Sequence, residues 1–245
     1  MKLIEIYNFL DKLSPFETQE IWDNSGLLLG NFNDEIHNVY LSLDIDEQLI
    51  QNAEENSLFI THHPLIFKGL KDLANSAYPR AFVKEMLRKN LSLISMHTNF
   101  DLSHLNTYFI EEILGFEISS KNKFLAYIDV DMSFEELCIV VKKRLNLEIL
   151  RTSFCGKEYL KRLAVCTGSG GDLLNEVKAD CYLSGDFKYH QALEAISNHL
   201  NLIDLGHFES ERYFAQCLAK HLKNLPLKVI ITVSKIHFNI FKENK

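Results

Sequence analysis

The chain has 245 residues, 47% of them hydrophobic and 24% charged, the balance of an ordinary globular protein able to bury a full core. Its 26 basic and 33 acidic residues leave a net charge of −7, which repels phosphate backbones and argues against nucleic acid as a partner. Five scattered cysteines without C-x-x-C spacing argue against a disulfide framework and a cysteine zinc site.

Leu3, Ile6, Tyr7, Leu10 and Leu13 recur at helical spacing, which predicts an amphipathic helix over residues 2–13. Glu5 and Asp11 lie within it in place of an apolar signal core, and no apolar run reaches the roughly 18 residues of a membrane span. The expected location is the reducing cytoplasm. Asp23-Asn24-Ser25 is turn chemistry, and Gly26 and Gly30 bracket a short apolar strand. Strands and helices then alternate: 39–43 strand, 46–56 helix, 58–61 strand, 79–89 helix, 91–95 strand. Short apolar strands separated by helices indicate parallel pairing in an α/β sheet.

Residues 124–130 read as a strand, and Ser133 with Glu136 three residues on forms a capping box at a helix start. Further strands are expected at 147–152 and 160–166, and a short helix at 173–177. The alternation then resumes with a strand at 181–184, a helix at 189–198, a strand at 202–205, a helix at 210–222 and a last strand at 229–233. A Lys-rich tail that frays closes the chain. The basic run Lys142-Lys143-Arg144 reads as a solvated helix face.

The second half echoes the first. Residues 91–98 align with 200–207 at a shift of 109, and 58–63 with 181–186 at a shift of 123. The pattern predicts two similar α/β lobes related by internal duplication, over residues 1–120 and 121–245 with elements interlaced. In such sheets ligands bind at the carboxyl ends of strands, so the cleft between the lobes is the expected site.

The residues that carry chemistry all come just after strand ends. His62-His63-Pro64 offers two adjacent imidazoles that can each reach a different metal where the chain turns; the plainer reading is a pair of partly buried polar side chains capping a helix. His97 and Asp101 lie after the next strand. The carboxylate suits a hard or borderline cation, or serves as a helix cap or Asx turn; His97 is the candidate general acid or base, with a group that orients a ligand, or a core histidine bonded to backbone, as the alternatives. His207 and Glu211 are four apart and share one helical face, whereas Glu209 cannot share it with Glu211. Together His62, His63, Asp101, His207 and Glu211 make three imidazoles and two carboxylates, a donor set for two divalent ions (Zn, Fe, Mn, Ni or Co). Residues 166–171, Cys-Thr-Gly-Ser-Gly-Gly, read as a turn, with an anion cradle as the alternative.

The segments WDNSGLLLG, ITHHPLIFKGL, HTNFD, SGDFKYHQALEA and DLGHFESE, in this order, resemble the Nif-three-like family, the GTP cyclohydrolase 1 type 2 homologues. The likeness runs to about residue 220 and is weakest over 116–160, and the chain is too short for the inserted middle domain of some members. The resemblance implies two similar α/β lobes in a homohexameric ring with metal sites facing its interior. It also implies that His63 and Asp101 hold one metal, His62 and His207 the other, with Glu211 bridging. The expected function is a dinuclear metal-dependent hydrolase, with GTP ring opening as the named reaction and a nucleotide as substrate. The alternative is a non-enzymatic metal-handling or protein-interaction ring.

Overall fold

The computed structural model describes residues 1–74, 77–233 and 235. It divides into two compact units, one of residues 1–13, 22–97 and the chain from 218, the other of 14–21 and 98–217. The boundary expected at 120/121 therefore falls inside the second unit. The reason lies in two connections. The helical run after residue 97 packs with the second half of the chain, and the last described strand returns to the first sheet.

The first unit is built on β1 (Gly26–Leu29), β2 (Asn38–Ser42), β3 (Leu58–Thr61), β4 (Ser92–Ser95) and a strand at Lys228–Ile231. β2, β3 and β4 pair in parallel, with Val39 beside Leu58 and Leu58 beside Ser92. All residues of β3 and β4 are buried, as expected of strands covered on both faces. β1 adds to β4 antiparallel, and Lys228–Ile231 adds to β2 in parallel. Three helices serve this sheet. α1 (Leu3–Leu13) buries Leu3, Ile6 and Leu10, as its spacing predicts. α2 (Glu47–Asn52) is capped by Asp46, whose carboxylate accepts from the Leu49 N–H. α3 (Arg80–Arg88) packs Val83 and Met86 on Phe59 and Leu93. The helix predicted over 46–56 stops at Asn52, because Ala53 is extended and Lys89 Nζ takes the carbonyls of Ile50, Gln51 and Ala53.

The longer span of the second unit opens with a helical run, 98–114, to which the sequence pattern assigned no element. Short α turns, α4 (Thr98–Phe100) and α5 (Asn106–Tyr108), alternate there with wider π turns at Asp101–Leu105 and Phe109–Leu114. Mixed turns shift the apolar period away from 3.6, which explains why the spacing hid the helix. The sheet comprises β5 (Ser120–Asn122), β6 (Leu125–Ser133), β7 (Arg151–Ser153), β8 (Tyr159–Val165), β9 (Cys181–Ser184) and β10 (Asn201–Asp204), in the order β5-β6-β8-β9-β10-β7. β8, β9 and β10 are parallel; β6 joins β8, and β7 joins β10, antiparallel. β11 is the Lys228–Ile231 strand of the first sheet.

The duplication is visible in this topology. Each unit has three parallel strands in sequence order, with the strand that precedes them in the chain laid antiparallel on the third. Of the helices, α6 (Phe134–Leu145) carries the predicted Ser133/Glu136 capping box, and α7 (Tyr189–Ser197) links β9 to β10. The single helix expected at 210–222 is two, α8 (His207–Glu211) and α9 (Phe214–Leu222), parted where Arg212 turns to the Leu145 carbonyl. The strand expected at 147–152 is reduced to β7, because Asn146 ends α6 in the left-handed region at φ +52°. The five cysteines are thiols and form no disulfide, and no helix among the described residues is long and apolar enough to cross a membrane. Most of the tail expected to fray lies outside the described residues.

Asp180 fastens the start of the parallel strands. Its carboxylate accepts from Lys157 Nζ at 2.9 Å and from the N–H groups of Lys161 and Arg162 at 2.7 and 3.0 Å. Burial pushes this carboxyl upward, but the three donors outweigh it and hold it below the ordinary carboxylate value. A depressed folded value stabilises the protein above the unfolded pKa of about 3.9, and the contribution is lost as pH falls through the folded value. Asp180→Asn should therefore lower the urea midpoint at about pH 7, and the gap to wild type should close towards about pH 3. A gap independent of pH would show that the charge is not what stabilises this joint.

Candidate metal centre

In the first unit, β3 and β4 run side by side and deliver three imidazoles to one place. After Thr61 the backbone keeps its ladder, His62 N–H donating to the Ser42 carbonyl and His63 N–H to the Leu43 carbonyl. The ring centroids of His62, His63 and His97 lie 5.1 to 5.6 Å apart. Each ring offers a nitrogen within 4.8 Å of the others' nitrogens, a spacing that can hold a metal ion.

Each ring is oriented through Nδ1. His62 Nδ1 meets the Met96 carbonyl at 2.8 Å, His63 Nδ1 meets Asp44 at 2.8 Å, and His97 Nδ1 meets Asp23 at 2.7 Å. A carbonyl or a carboxylate can only accept, so Nδ1 carries the proton in all three, and the Nε2 lone pair is what a neutral ring presents. This is how metal-binding histidines are prepared by their neighbours. Asp23 is itself fixed in a tight turn, accepting from the Asn24 N–H and the Ser25 hydroxyl, while the Ser25 oxygen accepts from the His97 N–H.

In the second unit, α8 places His207 over Glu211. His207 Nδ1 meets Asp186 at 2.7 Å, and Nε2 lies 2.9 Å from the buried Glu211 carboxylate. With the Nδ1 proton given to Asp186, Nε2 and the Glu211 oxygen face each other as two lone-pair donors. That edge requires a positive species, either a proton or a metal cation. The donor set thus fits a divalent ion on chemical grounds.

The backbone is shaped around this pair. A Cβ built on Gly168, at φ +68°, would stand 2.0 Å from Glu211 Oε1, so the loop approaches the carboxylate only as glycine. The Gly168 N–H donates to Ser210 and the Gly170 N–H to Ser184, so these two donors of the 166–171 loop are spent inside the fold. Glu209 folds back over Gly206 while Glu211 is buried, the division of labour their spacing predicts. Asp101 opens a π turn of the same unit. Burial, then the charges of Asp101 and Glu211, push the Cys166 thiol far up, so it stays protonated and supplies neither a thiolate ligand nor a nucleophile.

The structure thus brings His62, His63 and the expected acid or base His97 together in the first unit, and His207 and Glu211 together in the second. Sequence reasoning missed the orienting carboxylates Asp23, Asp44 and Asp186. Asp23 and Asp186 lie within motifs already singled out, but their spacing from the histidines, 74 and 21 residues, carries no periodic signal.

A family model described as Duf34/NIF3 (NGG1p interacting factor 3) matches residues 1–239. A Campylobacter jejuni protein named GTP cyclohydrolase 1 type 2 homolog is 73% identical over 241 residues, covering 98% of this chain and all of that one. A Helicobacter pylori protein named GTP cyclohydrolase 1 type 2 is 42% identical over 93% of this chain and 94% of its own. Among solved structures, reduced HcgD from Methanocaldococcus jannaschii superposes with a TM-score of 0.82 at 27% identity, covering 96% of this chain and 98% of that one.

The orienting carboxylates give a direct test. Asp44→Asn and Asp186→Asn should each weaken zinc binding by roughly 10- to 100-fold while leaving circular dichroism unchanged. Competition with a chromogenic chelator measures this, and unchanged affinity in both variants would reduce the two aspartates to structural pairs.

Proposed function

The chain belongs to the Duf34/NIF3 family, and from that premise we propose that it is a metal-dependent hydrolase acting on a nucleotide. The observation that carries the reading is the common preparation of four histidines, each with Nδ1 committed to an acceptor. In this reading His63 and Asp101 would hold one divalent ion and His62 and His207 the other, with Glu211 shared between them. Nitrogen and oxygen donors without thiolate suit Zn, Fe, Mn, Ni or Co. When bound, such a pair supplies Lewis acidity, makes water acidic enough to yield its proton near neutral pH and offsets phosphate charge.

The protein's own groups have distinct tasks. Asp44, Asp186 and the Met96 carbonyl fix ring orientation, and buried Glu211 contributes a charge that solvent does not screen. His97, held by Asp23, keeps Nε2 available to take a proton from water or to return one to a leaving group. Opening of a purine ring, as in the name of the Helicobacter pylori relative, is the reaction of first choice. One observation favours metal handling instead: His97 also lies within ligand distance of His62 and His63, so it can serve as a third imidazole donor in place of a base. Release of formate from GTP by metal-loaded protein, abolished by His97→Ala with metal content intact, supports the hydrolase. Exchangeable metal without turnover supports handling.

Bridging has its own consequence for metal content. Removing a shared anion leaves two dications with less charge between them, whereas removing one neutral imidazole weakens one ion directly. Glu211→Ala should therefore lose more metal per chain, by elemental analysis, than His62→Ala or His207→Ala. Equal loss in all three, in variants whose circular dichroism matches wild type, would argue against bridging. The family resemblance also implies a cytoplasmic ring of six chains; light scattering that reports a monomer at micromolar concentration would contradict the ring.

A further inference from the structure

Beside the histidine cluster the first unit leaves two large rings in water, Trp22 at 59% and Phe67 at 43% exposure. They touch each other and His97. Trp22 lies 6.0 Å from Phe67 at 54°, and 6.1 Å from the His97 ring, edge-on at 76°. Phe67 lies 6.4 Å from His97 at 79°. Three rings thus form one corner, with the imidazole as a wall.

This corner is held in place from below. Asp23, next to Trp22, has a fully buried side chain bonded to His97, and Asn24 Nδ2 donates to the Ile66 carbonyl, next to Phe67. Leu65 is buried in the core of the same unit. The loops that carry both rings are therefore pinned to each other and to the cluster, while the rings stay wet. Single exposed aromatics need no explanation, but two in contact, fixed against a prepared imidazole, form a ready stacking surface. Aromatic faces bind planar bases by stacking, and the bicyclic indole is matched in area by a purine better than by a pyrimidine.

We propose that Trp22 and Phe67 are the binding surface for the planar ring of the substrate, a purine base stacked beside His97. The identity of that ring as substrate rests on the hydrolase reading; its binding requires neither turnover nor metal.

Trp22 is the only tryptophan in the sequence, so tryptophan emission, excited selectively over the nine tyrosines, reports on this corner alone. Guanosine titrated into the full chain, as purified and again after chelation, should quench that emission saturably in both states. Cytidine, with its smaller ring, should bind more weakly, and Phe67→Leu, which keeps apolar volume without a π face, should weaken guanosine by at least about tenfold. Phe67→Tyr should restore it. Absence of saturable quenching up to low millimolar guanosine overturns the proposal, as does equal quenching by cytidine or unaltered binding in a folded Phe67→Leu protein. Should that variant unfold, the guanosine–cytidine contrast in wild type decides. Emission that shifts with protein concentration and ignores guanosine also overturns it, assigning the rings to a second copy of the chain. Quenching without GTP turnover would sink the hydrolase reading and leave the stacking surface standing; turnover without quenching would do the reverse.

Discussion

A neutral imidazole has one lone pair to present, and the partner at its other nitrogen decides where that lone pair sits. In this protein His62, His63, His97 and His207 all have Nδ1 against an acceptor, three of them against aspartates and one against a backbone carbonyl. The secondary structure is arranged to make this possible. His62 and His63 continue the ladder beyond β3, and His62 reaches across to the carbonyl of Met96, just past β4. Parallel neighbours place equivalent strand ends side by side, so a donor at the end of one strand finds an acceptor at the end of the next. An antiparallel pair would have sent the two ends to opposite edges.

The same device appears twice, with different residues. In the aligned lobes the position of His63 is taken by Asp186, and the ring that it serves, His207, lies just beyond the third parallel strand. Equivalent strand ends carry His62 and His63 in the first unit, and Asp186 beside His207 in the second. This division shows why the histidines were legible from sequence. Adjacent His62-His63 and the i, i+4 pair His207 and Glu211 are local patterns that spacing reveals. The strand positions were legible for a similar reason, since short apolar runs between helices have few other solutions in a parallel sheet.

The features hidden from the sequence were either non-local or irregular. Asp23 reaches His97 across 74 residues, and its local signature, Asp-Asn-Ser-Gly, reads fully as a turn. Asp44 comes after β2 in a stretch that looks like ordinary loop chemistry before the Asp46 cap. The 98–114 run mixes α and π turns, so its buried residues do not keep one period. Strands β1, β6 and β7 were legible as strands, but their antiparallel pairing lies outside the β–α–β alternation from which parallel pairing was read. The division into units was obscured because the chain returns to the first sheet only after completing the second.

The second unit also shows why a site of this kind couples binding to stability. Glu211 is buried, glycine at position 168 is what lets the loop approach it, and Cys166 remains a neutral thiol under the influence of Asp101 and Glu211. Cys166 packs in the core beside β8 and β9, whereas Glu211 is a buried carboxylate that adds no apolar burial. A buried carboxylate facing an imidazole lone pair is costly until a positive species joins them. Any cation that binds the folded chain and not the unfolded one returns part of that cost as stability, about 2.7 kcal/mol when it is present at a hundred times its dissociation constant. The constraint that holds the pair together is thus the one that would make the folded state respond to a cation, and Gly168 preserves it by leaving room for the Glu211 carboxylate.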